Sequence, residues 1–506
     1  MSVLKKLAGE AALYGISSIL GRMLNYLLVP FYTALFVPSE YGVITNLYAY
    51  VAFFNVVYTF GMETTYFRFA ARHPDKAQDY YEKAFTIVSL ISLSVSAWLI
   101  WWSAPLSKVI HCEDCSFYIS ALAITMAADG LSAIPFARLR LEKNAKKFVT
   151  VRMASIFLNV AFNILFLYFG KKMASGHWGS GLETLGHWLY RPEIGVGYVF
   201  LSNMLANLLA LVLLRRELIL ANFNIDLEAF KRMFQYGYPI MLMGLAGMVS
   251  EMLGRLTLEY WLPEGFYKGH STQAALGIYG ACYKLSIFMQ LAIQAFKYAA
   301  EPFFFSQASD KNAPTLFADV MKWFIVACML IFVVINLNIN WIAPIFLRQP
   351  AYLEGINVVP VLLLANMFLG VYYNLTTWFK LSDKTHYGSI LSIGGAAATV
   401  LLNFLLIPLA GYMGSAVATM LCYGGMAVVC YWLGQKYYPI PYDLRAALFH
   451  IGLGVLIVGM SWETRQWPLG MHIFASLVLF LLFLGSIALT ERNSLNAILA
   501  RVRRMK

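Results

Sequence analysis

Arg22, Arg255 and Lys284 are basic side chains set inside long apolar stretches. A lysine or arginine at the centre of a bilayer costs roughly 2.5–3.5 kcal/mol on insertion scales. Each is therefore expected to face water, a partner charge or an anionic ligand. A guanidinium presents paired N–H donors that fit phosphate or carboxylate oxygens. Two acids lie comparably deep, Asp129 and Glu251. Either can take up a proton or sodium ion in a coupled transport step.

Polar residues at steps of three and four mark a helix face turned to water or ligand. One such line is Gly15, Ser18, Arg22, Asn25 and Thr33, with Tyr26 beside it. A second is Gly244, Met248, Glu251, Arg255 and Glu259. A third runs Tyr279, Tyr283, Ser286, Gln290, Gln294 and Lys297, and shorter ones are Tyr48, Asn55, Thr59 and Thr125, Asp129, Ser132. The candidate binding residues are thus Arg22, Asn25, Tyr26, Tyr48, Asn55, Arg255, Tyr283, Lys284 and Gln290. Structural readings stand beside this one. Glu251 and Glu259 can neutralise Arg255 along one helix, Asp129 can pair with Arg22, and Lys284 can pair with Asp129 or Glu251.

The elements that must position these residues are membrane helices. The chain has 506 residues, 60% hydrophobic and 13% charged, with a mean hydropathy of +0.64. A soluble protein carries about 25% charged residues. Spans need about 20 apolar residues, and fourteen are read at 11–36, 41–66, 84–103, 117–138, 149–170, 194–214, 234–261, 275–298, 319–342, 356–379, 386–408, 412–434, 446–462 and 468–490. The start lacks a small-residue cleavage site, so the first span is expected to be retained. Of the 38 Lys and Arg, three are the buried cations Arg22, Arg255 and Lys284 and seven lie in the outer loops of this scheme, leaving 28 in the inner segments and at the inner ends of spans. That bias follows the positive-inside rule and places both termini in the cytoplasm. The net charge of +12 therefore reports orientation, and nucleic acid is not an expected partner.

A repeat runs through the sequence. Leu20-Gly21-Arg22 recurs as Leu253-Gly254-Arg255, and Gly42, Tyr48 and Asn55 correspond to Gly277, Tyr283 and Gln290 at an offset of 235. The expected architecture is all-α. A lobe at 1–215 and a second at 233–435, six spans each, are joined by an amphipathic linker at 216–232. Two extra helices and a basic tail occupy 436–506. Two even-numbered lobes are related by an axis along the membrane normal, the parallel kind of transporter repeat.

Four cysteines lie in apolar segments, while Cys112 and Cys115 form a CxxC in an outer loop where a local disulfide can form. With His111 they lack the second ligand pair of a metal site, so neither metal nor cofactor is expected. The outer loop 171–193 carries two Gly-His-Trp triplets, which suit either glycan contact or an interfacial helix. No GxxxxGK[ST] phosphate loop and no Asp-x-Asp pair of a metal-dependent glycosyltransferase is present.

Several passages together resemble the polysaccharide repeat-unit flippases, exporters of lipid-linked oligosaccharides in the superfamily that also holds multidrug extruders. They are Leu13-Tyr14-Gly15 to Tyr41-Gly42, the run from Gly61-Met62-Glu63 to Arg68-Phe69, Pro135-Phe136-Ala137-Arg138-Leu139-Arg140-Leu141-Glu142, and Leu402-Asn403-Phe404 to Pro408 followed by Gly411-Tyr412-Met413-Gly414-Ser415-Ala416. The resemblance covers about the first 440 residues. It implies a V-shaped pair of lobes that carries an undecaprenyl-pyrophosphate-linked glycan, such as an O-antigen or lipopolysaccharide unit, across a bacterial inner membrane. It also implies a cationic cavity with an arginine on the first helix, which maps to Arg22 and by the repeat to Arg255. Membrane lipids and glycan polymerase or assembly proteins are the partners it admits. A peptidoglycan-precursor flippase and a drug/cation antiporter share the expected fold. A membrane glycan polymerase or glycosyltransferase is the rival of a different class.

Overall fold

The computed structural model describes residues 23, 26–112, 115–177, 179–223, 226–307, 310, 312–382 and 384–492. Among these the regular elements are helices, with no strand. In chain order they are α1 (Tyr26–Leu35), then α2 (Pro38–Thr59), α3 (Met62–Arg72), α4 (Ala77–Trp101), α5 (Ser103–Val109), α6 (Ser116–Leu141), α7 (Ala145–Ile164), α8 (Lys171–Ala174), α9 (Ser180–Leu189), α10 (Gly197–Leu213), α11 (Arg215–Ile219) and α12 (Leu227–Trp261). They continue as α13 (Thr272–Lys284), α14 (Ile287–Gln307), α15 (Ala313–Leu337), α16 (Ile339–Phe346), α17 (Pro350–Leu353), α18 (Val358–Leu375), α19 (Thr377–Leu381), α20 (His386–Tyr437), α21 (Leu444–Thr464) and α22 (Leu469–Thr490).

Among the described residues ten helices are long and apolar enough to cross a membrane, and twelve when each of two bent pairs is taken as one span. The sequence reading of fourteen differs from this count at two places. Most of the first span, 11–36, lies outside the described residues, leaving α1. Spans eleven and twelve are joined in the 52-residue α20, whose backbone leaves the helical region only at Gly411, with φ 57° and ψ −137°. A straight helix of that length would run about 78 Å, against a hydrocarbon core of about 30 Å. Gly411 supplies the positive φ that lets it fold, and a Cβ on Gly414 would overlap the Leu406 carbonyl oxygen across the turn.

Other expected spans are interrupted. Span 41–66 becomes α2 and α3, broken at Phe60-Gly61, where both residues have positive φ. A side chain at Gly61 would strike the Gly237 carbonyl and Ile240 of α12, so the break lets α12 pack closely. The pair α13 and α14 is bent by 47° at Leu285-Ser286.

The chain divides into two compact units, one ending at Gly280 and the other beginning at Ala281. In the first, the start of α4 collects the linker that the sequence places at 216–232. Tyr81 donates to the Glu217 carbonyl at 2.7 Å and Gln78 to the Leu220 carbonyl at 2.8 Å. Lys147 reaches the Glu217 carboxylate at 2.7 Å. Asp226 caps α12, accepting from the Glu228 and Ala229 N–H groups, and also pairs with Lys83 at 3.0 Å. The end of the linker is thus the first turns of α12.

The α2–α13 crossing, also in this unit, bears on the repeat. A Cβ on Gly277 would overlap the Pro38 carbonyl oxygen, and one on Gly42 would overlap the Gln273 carbonyl oxygen. An offset of 235 turns Pro38 into Gln273 and Gly42 into Gly277. The two close approaches are therefore the same approach with the partners exchanged. The repeat-related glycines are where the backbones touch.

In the second unit α18 packs along α20, with Trp378 buried and its indole N–H donating to the Cys430 carbonyl at 3.2 Å. The α21–α22 hairpin is tied to α15 through Lys322, which pairs with Glu491 at 2.8 Å, while His450 lies 3.6 Å from the other Glu491 oxygen.

Candidate functional site

In the first unit the polar side chains form a ladder rather than an isolated cluster. Ser155 of α7 donates to Asn207 of α10 at 3.1 Å, Asn207 to Asn203 at 3.4 Å, and Asn203 to the Tyr48 hydroxyl of α2 at 3.2 Å. A parallel chain runs from Asn159 to Asn163 to Tyr32, the Tyr32 hydroxyl donating to Asn163 at 2.9 Å. Buried side-chain amides keep partners because an unpaired polar group in an apolar interior costs several kcal/mol. Sequence reasoning names Tyr48 from this ladder but misses Asn159, Asn163, Asn203 and Asn207. Their i, i+4 spacing is a signal, since it puts each pair on one helix face.

Asp129 is half-buried on α6, within electrostatic range of Tyr48 and of Arg152 on α7. Sequence reasoning offers Arg22 or Lys284 as its partner and counts Arg152 only as an inner-side cation. Arg22 and Asn25 lie outside the described residues. Tyr26 is half-buried on α1 and Asn55 half-buried on α2.

On α12 Arg255 is half-buried, its Nη1 donating to the Met252 sulfur at 3.1 Å. Glu251 is exposed, one turn earlier. Glu259 is buried and accepts from the Asn46 side chain of α2. The three charges of the α12 stripe thus have different surroundings. Glu259 turns to a neighbouring helix, which the sequence reading of a neutralised triad does not foresee.

The second unit brings two candidate residues together. Gln290 donates to the Tyr283 hydroxyl at 3.3 Å and to Asn366 of α18 at 3.2 Å. Asn366 donates in turn to the Ser286 hydroxyl at 3.2 Å, and Ser286 to the Tyr283 carbonyl at 2.7 Å. This closed network sits on the α13–α14 break, where the Ser286 hydroxyl takes the Tyr283 carbonyl, a polar group of the kind a helix end leaves over, and Asn366 binds that hydroxyl. Lys284, half-buried, is the last residue of α13 and stands at the same break. Sequence reasoning misses Asn366, although Gly370 and Asn374 follow it at four-residue steps on the same helix.

Outside the spans, Cys112 and Cys115 are disulfide-bonded, as the spacing allows. No group of three or more His, Cys, Asp or Glu side chains able to hold a metal is found among the described residues.

These features define a multi-pass helical membrane protein with polar side chains lining its spans. The fold is that of a lipid II flippase, MurJ, in an inward closed conformation, with a TM-score of 0.71 at 13% identity over 96% of this chain and 100% of that one. It is also that of an inward-facing multidrug resistance MATE family transporter of the MOP superfamily, at 0.63 and 12% identity over 82% of this chain and 94% of the other. An outward-facing MATE transporter gives 0.56 and 14%, covering 84% and 94%. No curated protein matches the chain. Residues 33–180 match the family described as polysaccharide biosynthesis protein. The match at 33–180 agrees with the polysaccharide-biosynthesis resemblance of the sequence motifs, and the likeness to the solved structures shows a shared fold.

Proposed function

We propose that this protein is a flippase carrying an undecaprenyl-pyrophosphate-linked oligosaccharide from the cytoplasmic to the outer leaflet of a bacterial inner membrane, with both termini cytoplasmic. The observation that carries the reading is the polysaccharide-biosynthesis match at 33–180 within a fold shared with a lipid flippase and multidrug transporters. Three cations inside apolar stretches, Arg22, Arg255 and Lys284, agree with an anionic headgroup. A drug-extruding relative that handles cations would instead favour an acidic interior.

In this mechanism the diphosphate enters a cationic cavity while the prenyl chain stays in lipid. Arg22 and Arg255 supply bidentate donors to its oxygens. Tyr26, Asn25, Tyr48, Asn55, Tyr283 and Gln290 offer hydroxyl and amide groups to sugar, and Lys284 adds charge. Alternating access then releases the headgroup outward. An inside-negative potential assists by roughly 2.3 kcal/mol per negative charge for each 100 mV. Asp129 and Glu251 are the candidate coupling groups. No bond in the substrate is made or broken, so the protein acts as a transporter and not as an enzyme.

Proteoliposome flipping assays test this reading with three substrates: a lipid-linked oligosaccharide, lipid II and a cationic drug. The oligosaccharide is expected to be moved preferentially, and Arg22→Ala and Arg255→Ala to slow its movement at least tenfold. Preferential movement of lipid II would favour a peptidoglycan-precursor flippase. Full activity in both folded variants would refute the anion-site assignment.

A further inference from the structure

Glu259 and Asn46 form a buried pair that the transport reading does not use. They are 8% and 2% exposed, on α12 and α2. The Asn46 Nδ2 group donates to Glu259 Oε2. The amide oxygen Asn46 Oδ1 is buried too and has no hydrogen-bond donor. No lysine, arginine or histidine forms an ion pair with Glu259 among the described residues.

An amide side chain offers one acceptor and a two-proton donor group, whereas a carboxylate only accepts. Facing an ionised Glu259, Asn46 can use its donor and must leave its oxygen empty. Both costs of that arrangement, an unpaired charge and an unpaired carbonyl in an apolar surround, are removed by a single proton. We propose that Glu259 is a proton-binding site in the α2–α12 contact. The bound form is a neutral carboxyl whose O–H donates to Asn46 Oδ1 while its carbonyl oxygen accepts from Asn46 Nδ2. The step is uptake of one proton from water by one carboxylate oxygen, with no other bond changed. On release, the ionised carboxylate leaves Asn46 Oδ1 without a donor, and the α2–α12 contact is weakened.

The other titratable and charged groups here keep their own contacts. Tyr50 of α2 and Tyr260 of α12 bond to each other at 2.8 Å, hydroxyl to hydroxyl. His111, in the turn after α5, packs its ring 5.6 Å from that of Tyr260. Arg255, one turn earlier on α12, places its Nη1 on the Met252 sulfur. Among the described residues the pair lacks the third carboxylate or imidazole that a divalent cation would require.

Infrared difference spectroscopy of the full chain in lipid, titrated with pH in sodium-free buffer, tests the proposal without reading transport. At neutral pH the wild type is expected to show the C=O stretch of one protonated carboxyl that Glu259→Gln lacks. Glu259→Gln keeps both hydrogen bonds, its amide donating where the acid did, so it is expected to fold. Asn46→Leu keeps the carboxyl but removes its partners, and should move the band to higher frequency. That shift remains a readout if Glu259→Gln does not fold. A wild type without the band, a band that survives in folded Glu259→Gln, a band that Asn46→Leu leaves in place, or its loss on adding sodium at constant pH would each overturn the assignment. The last result would make the pair a sodium site instead.

Discussion

Replacing Gly277 by alanine should open the α2–α13 crossing, because the added methyl falls on the Pro38 carbonyl oxygen, a backbone atom that no rotamer change can move. The helices must separate, and a gap of about 0.5–1 Å forfeits a quarter to a half of each contact's attraction along the seam. Overpacking of this kind costs about 1–3 kcal/mol. Gly42→Ala places its methyl on the Gln273 carbonyl oxygen and should cost about the same, since the two sites are the same contact with roles exchanged. The double variant is the discriminating one. Once either methyl has parted the helices, the second enters space already made, so the combined loss should fall short of the sum by about 0.5–3 kcal/mol. Unfolding in mixed detergent micelles, followed by tryptophan fluorescence, measures all three. Strictly additive losses, or a single variant as stable as the parent, would refute the shared-contact reasoning.

Asp226 is held below the usual carboxylate range, first by its bond with Lys83 and then by the α12 N–H groups. A lowered folded value means its contribution is full above the ordinary aspartate range and is lost as pH falls through the lowered value. Limited proteolysis between α11 and α12 should therefore accelerate in acid, and Asp226→Asn should remove that dependence while keeping the cap. Lys322→Met leaves Glu491, buried, without its nearest cation. Breaking such a pair costs about 3–5 kcal/mol, which should appear as early unfolding in the same micelle assay. Gly434→Ala drives a methyl to 2.9 Å from the Trp378 ring and should cost about 1–3 kcal/mol, with a blue or red shift in tryptophan emission as the ring moves.

The motifs that suggest a family turn out to be places where helices meet. Glu63 from one quoted passage pairs with Arg140 from another at 2.5 Å. Arg138 of the same passage binds Glu142 at 2.7 Å and covers the Tyr81 ring at 4.6 Å. Gly411 and Gly414 make the turn inside α20. Such residues are legible because their chemistry is local and unusual for a membrane: charges at helix ends, glycines at sharp turns. Spans are legible for the related reason that hydropathy is a running property of the chain. The breaks at Gly61 and Ser286 are not, because an interrupted span has the same composition as a continuous one. At each break a neighbour is in place, Gly237 and Ile240 against Gly61 in one case and the Asn366 amide on Ser286 in the other.

The same distinction explains the candidate site. A stripe of polar residues states which face of a helix is polar, but not what that face meets. Arg255, Glu251 and Glu259 share a stripe, and sequence logic joins them to one another at four-residue spacing. Glu259 instead finds Asn46, 213 positions away, because α2 presents an amide donor there that a carboxylate can accept from. The repeat carries information that the stripe does not. Its register, Gly42 to Gly277, predicts from sequence alone that two glycines are equivalent. The two glycines do lie at close backbone approaches where α2 crosses α13, a contact that hydropathy, charge bias and motif order do not address.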